Sequence, residues 1–139
     1  MIRSIQCLIA FSILVFPQIC SAMLIAECAD MKYVKAQAAK IVRGEVIDVQ
    51  YKKEGPGQTF TFITIRVDQY VRGDGPETIT LKQFGGTFEE NGQTYTISDS
   101  DSPDYKIGDK GTLYLTQPDM PFYAGEFFST VCSTGIVPD

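Results

Sequence analysis
The chain has 139 residues, 44% hydrophobic and 21% charged, which fits one globular domain and excludes a disordered or collagen-like chain. Its 12 Lys and Arg against 17 Asp and Glu leave a net charge of −5, which argues against a nucleic-acid-binding surface. Histidine is absent, so Ser-His-Asp and Cys-His catalysis and the usual zinc sites are excluded.

Residues 1–22 read as a secretory signal peptide. Arg3 supplies positive charge, residues 7–16 form an apolar run, Pro17 breaks it, and Cys20-Ser21-Ala22 offers small residues before a cut after Ala22. The apolar part is too short for a membrane span of ~20 residues. The expected location is secreted or periplasmic, and residues 23–139 are expected to form a single domain. Removal of the signal takes away Arg3, Cys7 and Cys20 and leaves two cysteines, Cys28 and Cys132. Two such cysteines in an exported protein most often pair; the alternative is two buried free thiols. The surroundings of Cys132, Ser-Thr-Val-Cys-Ser-Thr-Gly, hold no base or cation to form a catalytic thiolate.

Residues 27–39 are expected to be the one helix, rich in helix formers and free of Gly and Pro, with Met31, Val34 and Ala38 on one face. The period then shortens to two. Residues 41–51 read as a strand in which Gly44 marks a bulge or sharp bend. Gly55-Pro56-Gly57 turns the chain into residues 59–71, with Ile63, Ile65 and Val67 on one face and Thr64, Arg66 and Asp68 on the other. Phe60 and Phe62 load the second face near its start. A strand over 77–84 points Ile79 and Leu81 inward. Asn91-Gly92 predicts a two-residue hairpin within 87–98. Residues 99–104 form an acidic loop, residues 110–116 a strand with Leu113 and Leu115 inward, and residues 122–131 an aromatic last strand ending at Cys132. Six or seven short strands with one helix make the chain mainly β: a small antiparallel OB-like β-barrel with one flanking N-terminal helix, preceded by the signal peptide.

Few residues here carry chemistry. Asp99, Asp101 and Asp104 are carboxylates at hard-cation spacing, but the loop lacks the Gly and distant Glu of an EF-hand and reads as a solvated acidic loop. Glu45 and Asp48 are three apart on a strand, which puts them on opposite faces. The glycines of residues 70–75 precede a Pro and a strand rather than a helix N-terminus, which argues against a phosphate cradle. Phe122, Tyr123, Phe127 and Phe128 read as core or as a partner-binding patch. No cofactor or metal is expected.

Cys28 followed by a helix and then Ala39-Lys40-Ile41-Val42-Arg43-Gly44-Glu45-Val46-Ile47-Asp48-Val49 resembles the opening of the netrin-like and tissue-inhibitor-of-metalloproteinase family. Val71-Arg72-Gly73-Asp74, Ile107-Gly108-Asp109-Lys110 with Leu113-Tyr114-Leu115, and Cys132-Ser133-Thr134-Gly135 follow in the same order. The stretch 59–86 also resembles uncharacterised secreted bacterial proteins. The resemblance implies an OB-fold barrel and a bridge from the N-terminal segment to the C-terminal end. Inhibitors of that family begin at a cysteine whose amine and carbonyl chelate the protease zinc, with a second cysteine two residues on. Here residues 23–27 precede Cys28, and residue 30 is Asp. The expected function is therefore a non-enzymatic binding module for a protein of the envelope or extracellular space. Inhibition of a secreted metalloprotease is the alternative. A carboxylate-based hydrolase would need two of Glu45, Asp48, Asp68 and Glu126 to converge in a pocket.

Overall fold
A computed structural model describes residues 26–98, 102–117 and 127–139. The signal segment, Asp99, Asp101, Phe122, Tyr123 and Glu126 lie outside them. The described chain is mainly β with a short helix, α1 (Met31–Gln37), which follows a helical turn over residues 26–28 that breaks at Ala29 and Asp30. The strands are β1 (Lys40–Gly55), β2 (Gln58–Arg72), β3 (Thr78–Phe84), β4 (Gly86–Glu90), β5 (Gln93–Ile97), β6 (Lys110–Thr116), β7 (Phe127–Thr130) and β8 (Ile136–Val137). The Gly-Gly, Asn-Gly and Gly-Pro-Gly punctuation falls at strand ends and in the turns between them, where backbone freedom is needed. Asn91 and Gly92 both take positive φ, 53° and 74°, as a tight hairpin turn between right-twisted strands requires.

The helix is shorter than residues 27–39. Asp30 is extended and accepts a 2.8 Å hydrogen bond from the Lys32 amide, which starts the helix at Met31. At the other end the Ala39 amide donates to the Leu115 carbonyl at 2.8 Å, so sheet pairing captures the chain before another turn can form.

β1 pairs antiparallel with β2, β2 with β3, and β6 with β7 and β8. β1 also pairs with β6, from Lys40 opposite Leu115 to Glu45 opposite Lys110, so it is hydrogen-bonded along both edges. β3 meets β7 in a parallel pair, Thr80 opposite Phe127 and Leu81 opposite Phe128. This corrects the fully antiparallel expectation. Five strands paired in a circuit cannot alternate direction throughout, so one neighbouring pair must run the same way. β4 and β5 form a separate hairpin.

Inside the circuit lie Val42, Val46, Ile63, Ile65, Ile79, Leu81, Leu113, Leu115 and Tyr105, all buried. These are the residues that strand alternation turns inward, Tyr105 excepted, which comes from the loop before β6. A second cluster lies on the outside of the circuit, where Val34 of α1 and Ala38, its C-cap, cover Ile41, Tyr114 and Val131. Cys28 and Cys132 are disulfide-bonded across 104 residues and fasten the start of the described chain to this cluster. Gly44 sits between two partners, opposite Val67 of β2 and Gly111 of β6, at a shift in the β1–β2 register. A Cβ there would meet the Arg66 carbonyl oxygen at 2.4 Å and the Ile65 side chain at 2.9 Å, so only glycine lets the strands approach this closely.

Candidate functional site
The long β1–β2 hairpin sets the register of the outer face. Phe62 stands opposite Lys82 of β3, and Phe60 opposite Phe84. Both phenylalanines are buried, as is the Lys82 side chain at 5% exposure. The Lys82 ammonium lies 4.3 Å from the Phe60 ring centroid, 5.3 Å from Phe62 and 5.4 Å from Phe127. All three fall inside the ~6 Å reach of a cation–π contact. It also donates to Glu54 Oε2 at 2.7 Å. Lys52 lies 5.0 Å over the same Phe62 ring. Sequence reading placed Phe60 and Phe62 on this face but passed over Lys82; its even position on β3, matching Phe84, was the available signal.

At the hairpin end, Phe84 packs edge-on to Phe60 at 5.7 Å. Gly85 turns the chain out into β4. Thr61 Oγ1 donates to the Gly85 carbonyl at 2.8 Å and fixes that corner. Beside it is a cleft of about 210 Å³ between β1, β3, the β4–β5 hairpin and the 102–105 segment. The hairpin itself carries a stacked Phe88–Tyr95 pair with centroids 5.5 Å apart. Lys53 joins it to β1, 3.1 Å from Glu90 and 5.6 Å over Phe88. Tyr105 closes the floor. Burial pushes its hydroxyl up from the ordinary tyrosine range, and a hydrogen bond with Thr130 partly opposes this.

The acidic residues are placed differently from expectation. The β1–β2 register shifts between Val46 and Asp48, leaving Ile47 as a bulged residue. Glu45 is opposite Arg66, and Asp48 is opposite Thr64, so both carboxylates share the outer face. The opposite-face expectation fails because it assumes an unbroken period of two. Glu45 pairs with Arg66 and, at 3.4 Å, with Lys110; Asp68 lies 3.8 Å from the same Arg66. Asp48 accepts from Gln50 at 2.6 Å. Each carboxylate thus has a hydrogen-bond or ion-pair partner. Asp104 is exposed and 3.9 Å from Lys106. Among the described residues, no cluster of three or more His, Cys, Asp and Glu could hold a metal ion.

The aromatic residues of the last strand diverge. Phe128 packs against the core, whereas Phe127 meets Phe62 edge-on at 5.4 Å on the outer face. The glycine-rich turn after β2 has a structural use: Lys40 donates to the Asp74 carbonyl, and Tyr70 donates to the Pro76 carbonyl at 2.8 Å. Burial, and then the Asp74 charge, push the Tyr70 hydroxyl up.

No family model, curated protein or solved structure matches the chain. Among the described residues, no helix is long and apolar enough to cross a membrane.

Proposed function
We propose that the chain is exported through a signal over residues 1–22 and acts as a non-enzymatic binding module on an OB-like barrel. Its partner is a protein of the envelope or extracellular space. The strand circuit, with β1 paired along both edges and one parallel pair, supports the barrel. The likeness of its order of motifs to the netrin-like family supports the same reading. The observation that carries the binding role is the β4–β5 hairpin. It forms a sheet of its own, with Tyr95 41% exposed and stacked on Phe88, an aromatic surface of the kind that anchors protein interfaces.

The test immobilises the exported, disulfide-bonded protein and presents the secreted and envelope proteins of its own source. One species should be retained in stoichiometric amount, and Tyr95→Ala should weaken that retention at least ~10-fold, as loss of a central aromatic anchor does. Peptide, ester and glycoside substrates should not be turned over. Absence of any retained protein overturns the proposal. Turnover abolished by Glu45→Gln replaces it with the carboxylate-hydrolase reading. A retained metalloprotease whose activity falls on binding makes the chain an inhibitor.

A further inference from the structure
We infer that the cleft beside the hairpin binds a neutral saccharide. The argument starts from two aromatic side chains that are exposed yet packed on the protein along one side. Tyr51 is 50% exposed and Phe84 42%. Tyr51 lies against Gly86, where a Cβ would come within 2.5 Å of the Tyr51 ring and 2.9 Å of Thr61 Oγ1. Gly86 also has φ +143°, so the backbone there favours glycine twice over. Phe84 packs edge-on against buried Phe60. Rings held this way lose little freedom when a ligand stacks on them.

The rest of the lining supplies hydrogen-bonding groups. Thr87 and Thr96 bring their hydroxyls within 3.1 Å of each other, and Ser98 and Asp104 add a hydroxyl and a carboxylate. Hydroxyls donate and accept, and a carboxylate accepts from paired sugar hydroxyls. Among the described residues, no lysine or arginine lines the cleft. Among the described lining residues the one charge is that of Asp104, and its negative sign disfavours phosphate, sulfate and acidic sugars. The Thr87 and Thr96 hydroxyls already pair with each other, and with Ser98 they keep further donor and acceptor capacity that a polyol can use and a wholly apolar ligand cannot. At about 210 Å³ the cleft is smaller than a drug-sized pocket of ~300–1,000 Å³ and matches one sugar ring with its neighbour outside. Ring faces with neutral hydroxyls on an acidic chain are the chemistry of a polyol.

This inference does not depend on a protein partner, because Tyr51 and Phe84 line the cleft while Tyr95 does not. The exported, disulfide-bonded protein is titrated with cellobiose, maltose, lactose and chitobiose, with glucuronic acid as the acidic arm. Saturation-transfer NMR and calorimetry give the readout. At least one neutral sugar should bind with Kd of about 1 mM or tighter. Tyr51→Ala should weaken it at least ~10-fold with unchanged thermal unfolding, because that ring is half in solvent. No transfer from any neutral sugar at ~10 mM, binding undiminished in Tyr51→Ala, or a preference for glucuronic acid would each overturn the inference. Loss of sugar binding in Tyr51→Ala with partner retention intact keeps the two readings separate.

Discussion
Lys82 has its ammonium among three phenyl rings and on Glu54, a residue that is 39% exposed. Two effects compete there. The ion pair is half-wet, so screening limits its worth. The four-carbon stem is almost wholly buried, so its packing should dominate. Lys82→Met keeps the stem volume and should change unfolding free energy by less than about 1 kcal/mol. Lys82→Ala empties the space and should cost about 2–4 kcal/mol. Urea unfolding with linear extrapolation measures both; equal losses in the two variants would show that the charge, not the stem, matters. This arrangement was only half legible in the sequence. Alternation gave Phe60 and Phe62 a common face, but Lys82 joins them through the β2–β3 register, which no local pattern specifies.

Among the elements, α1 depends most on its surroundings. Seven residues cannot hold a helix in water by themselves. Packing of Val34 and Ala38 supplies one hold. Arg72, the last residue of β2, supplies another, donating to the Lys35 carbonyl at 2.5 Å and the Ala38 carbonyl at 3.1 Å. These are carbonyls that a helix C-terminus leaves without partners. Arg72→Ala should therefore cost about 1–2 kcal/mol and speed amide exchange across residues 31–38 more than in β2 itself. Asp30→Ala, at the other end, should cost about 1 kcal/mol through loss of the Lys32 cap. Exchange rising equally in α1 and β2 would mean that Arg72 acts on the sheet instead. The Met31, Val34 and Ala38 stripe identified this helix, but its ends were set by a cap and by sheet pairing. The Ile47 bulge escaped sequence reading for a related reason. Nothing in Ile-Asp-Val marks the extra residue, and its effect was to move Asp48 onto the face of Glu45.

For the whole molecule, the strands were legible from their period and punctuation, whereas their closure order was not. Period two says which residues face inward, and it carries no information about which edges meet or which pair must be parallel. The two cysteines, by contrast, spoke for the whole chain at once. Their bridge spans 104 residues, and a loop of that length restricts the unfolded chain by ~4–5 kcal/mol in the entropy model. The bridge lies outside the main core, in the cluster where α1 covers Ile41 and Tyr114. Its removal should leave the inner cluster of Val42, Ile63, Leu81 and Leu115 assembled. The variant carrying Cys28→Ser and Cys132→Ser should keep its β circular-dichroism spectrum at about 25 °C and melt roughly 16–20 °C lower, at ~4 °C per kcal/mol for a domain of this size. Intact mass with and without reduction, on protein isolated from its own source, checks the bridge and the proposed cut after Ala22 together. A fall of less than about 5 °C would mean that α1 and the Val131–Ser133 turn hold their places by packing alone. A variant unfolded at room temperature would mean that the inner core cannot stand without them, and that the two clusters form one cooperative unit.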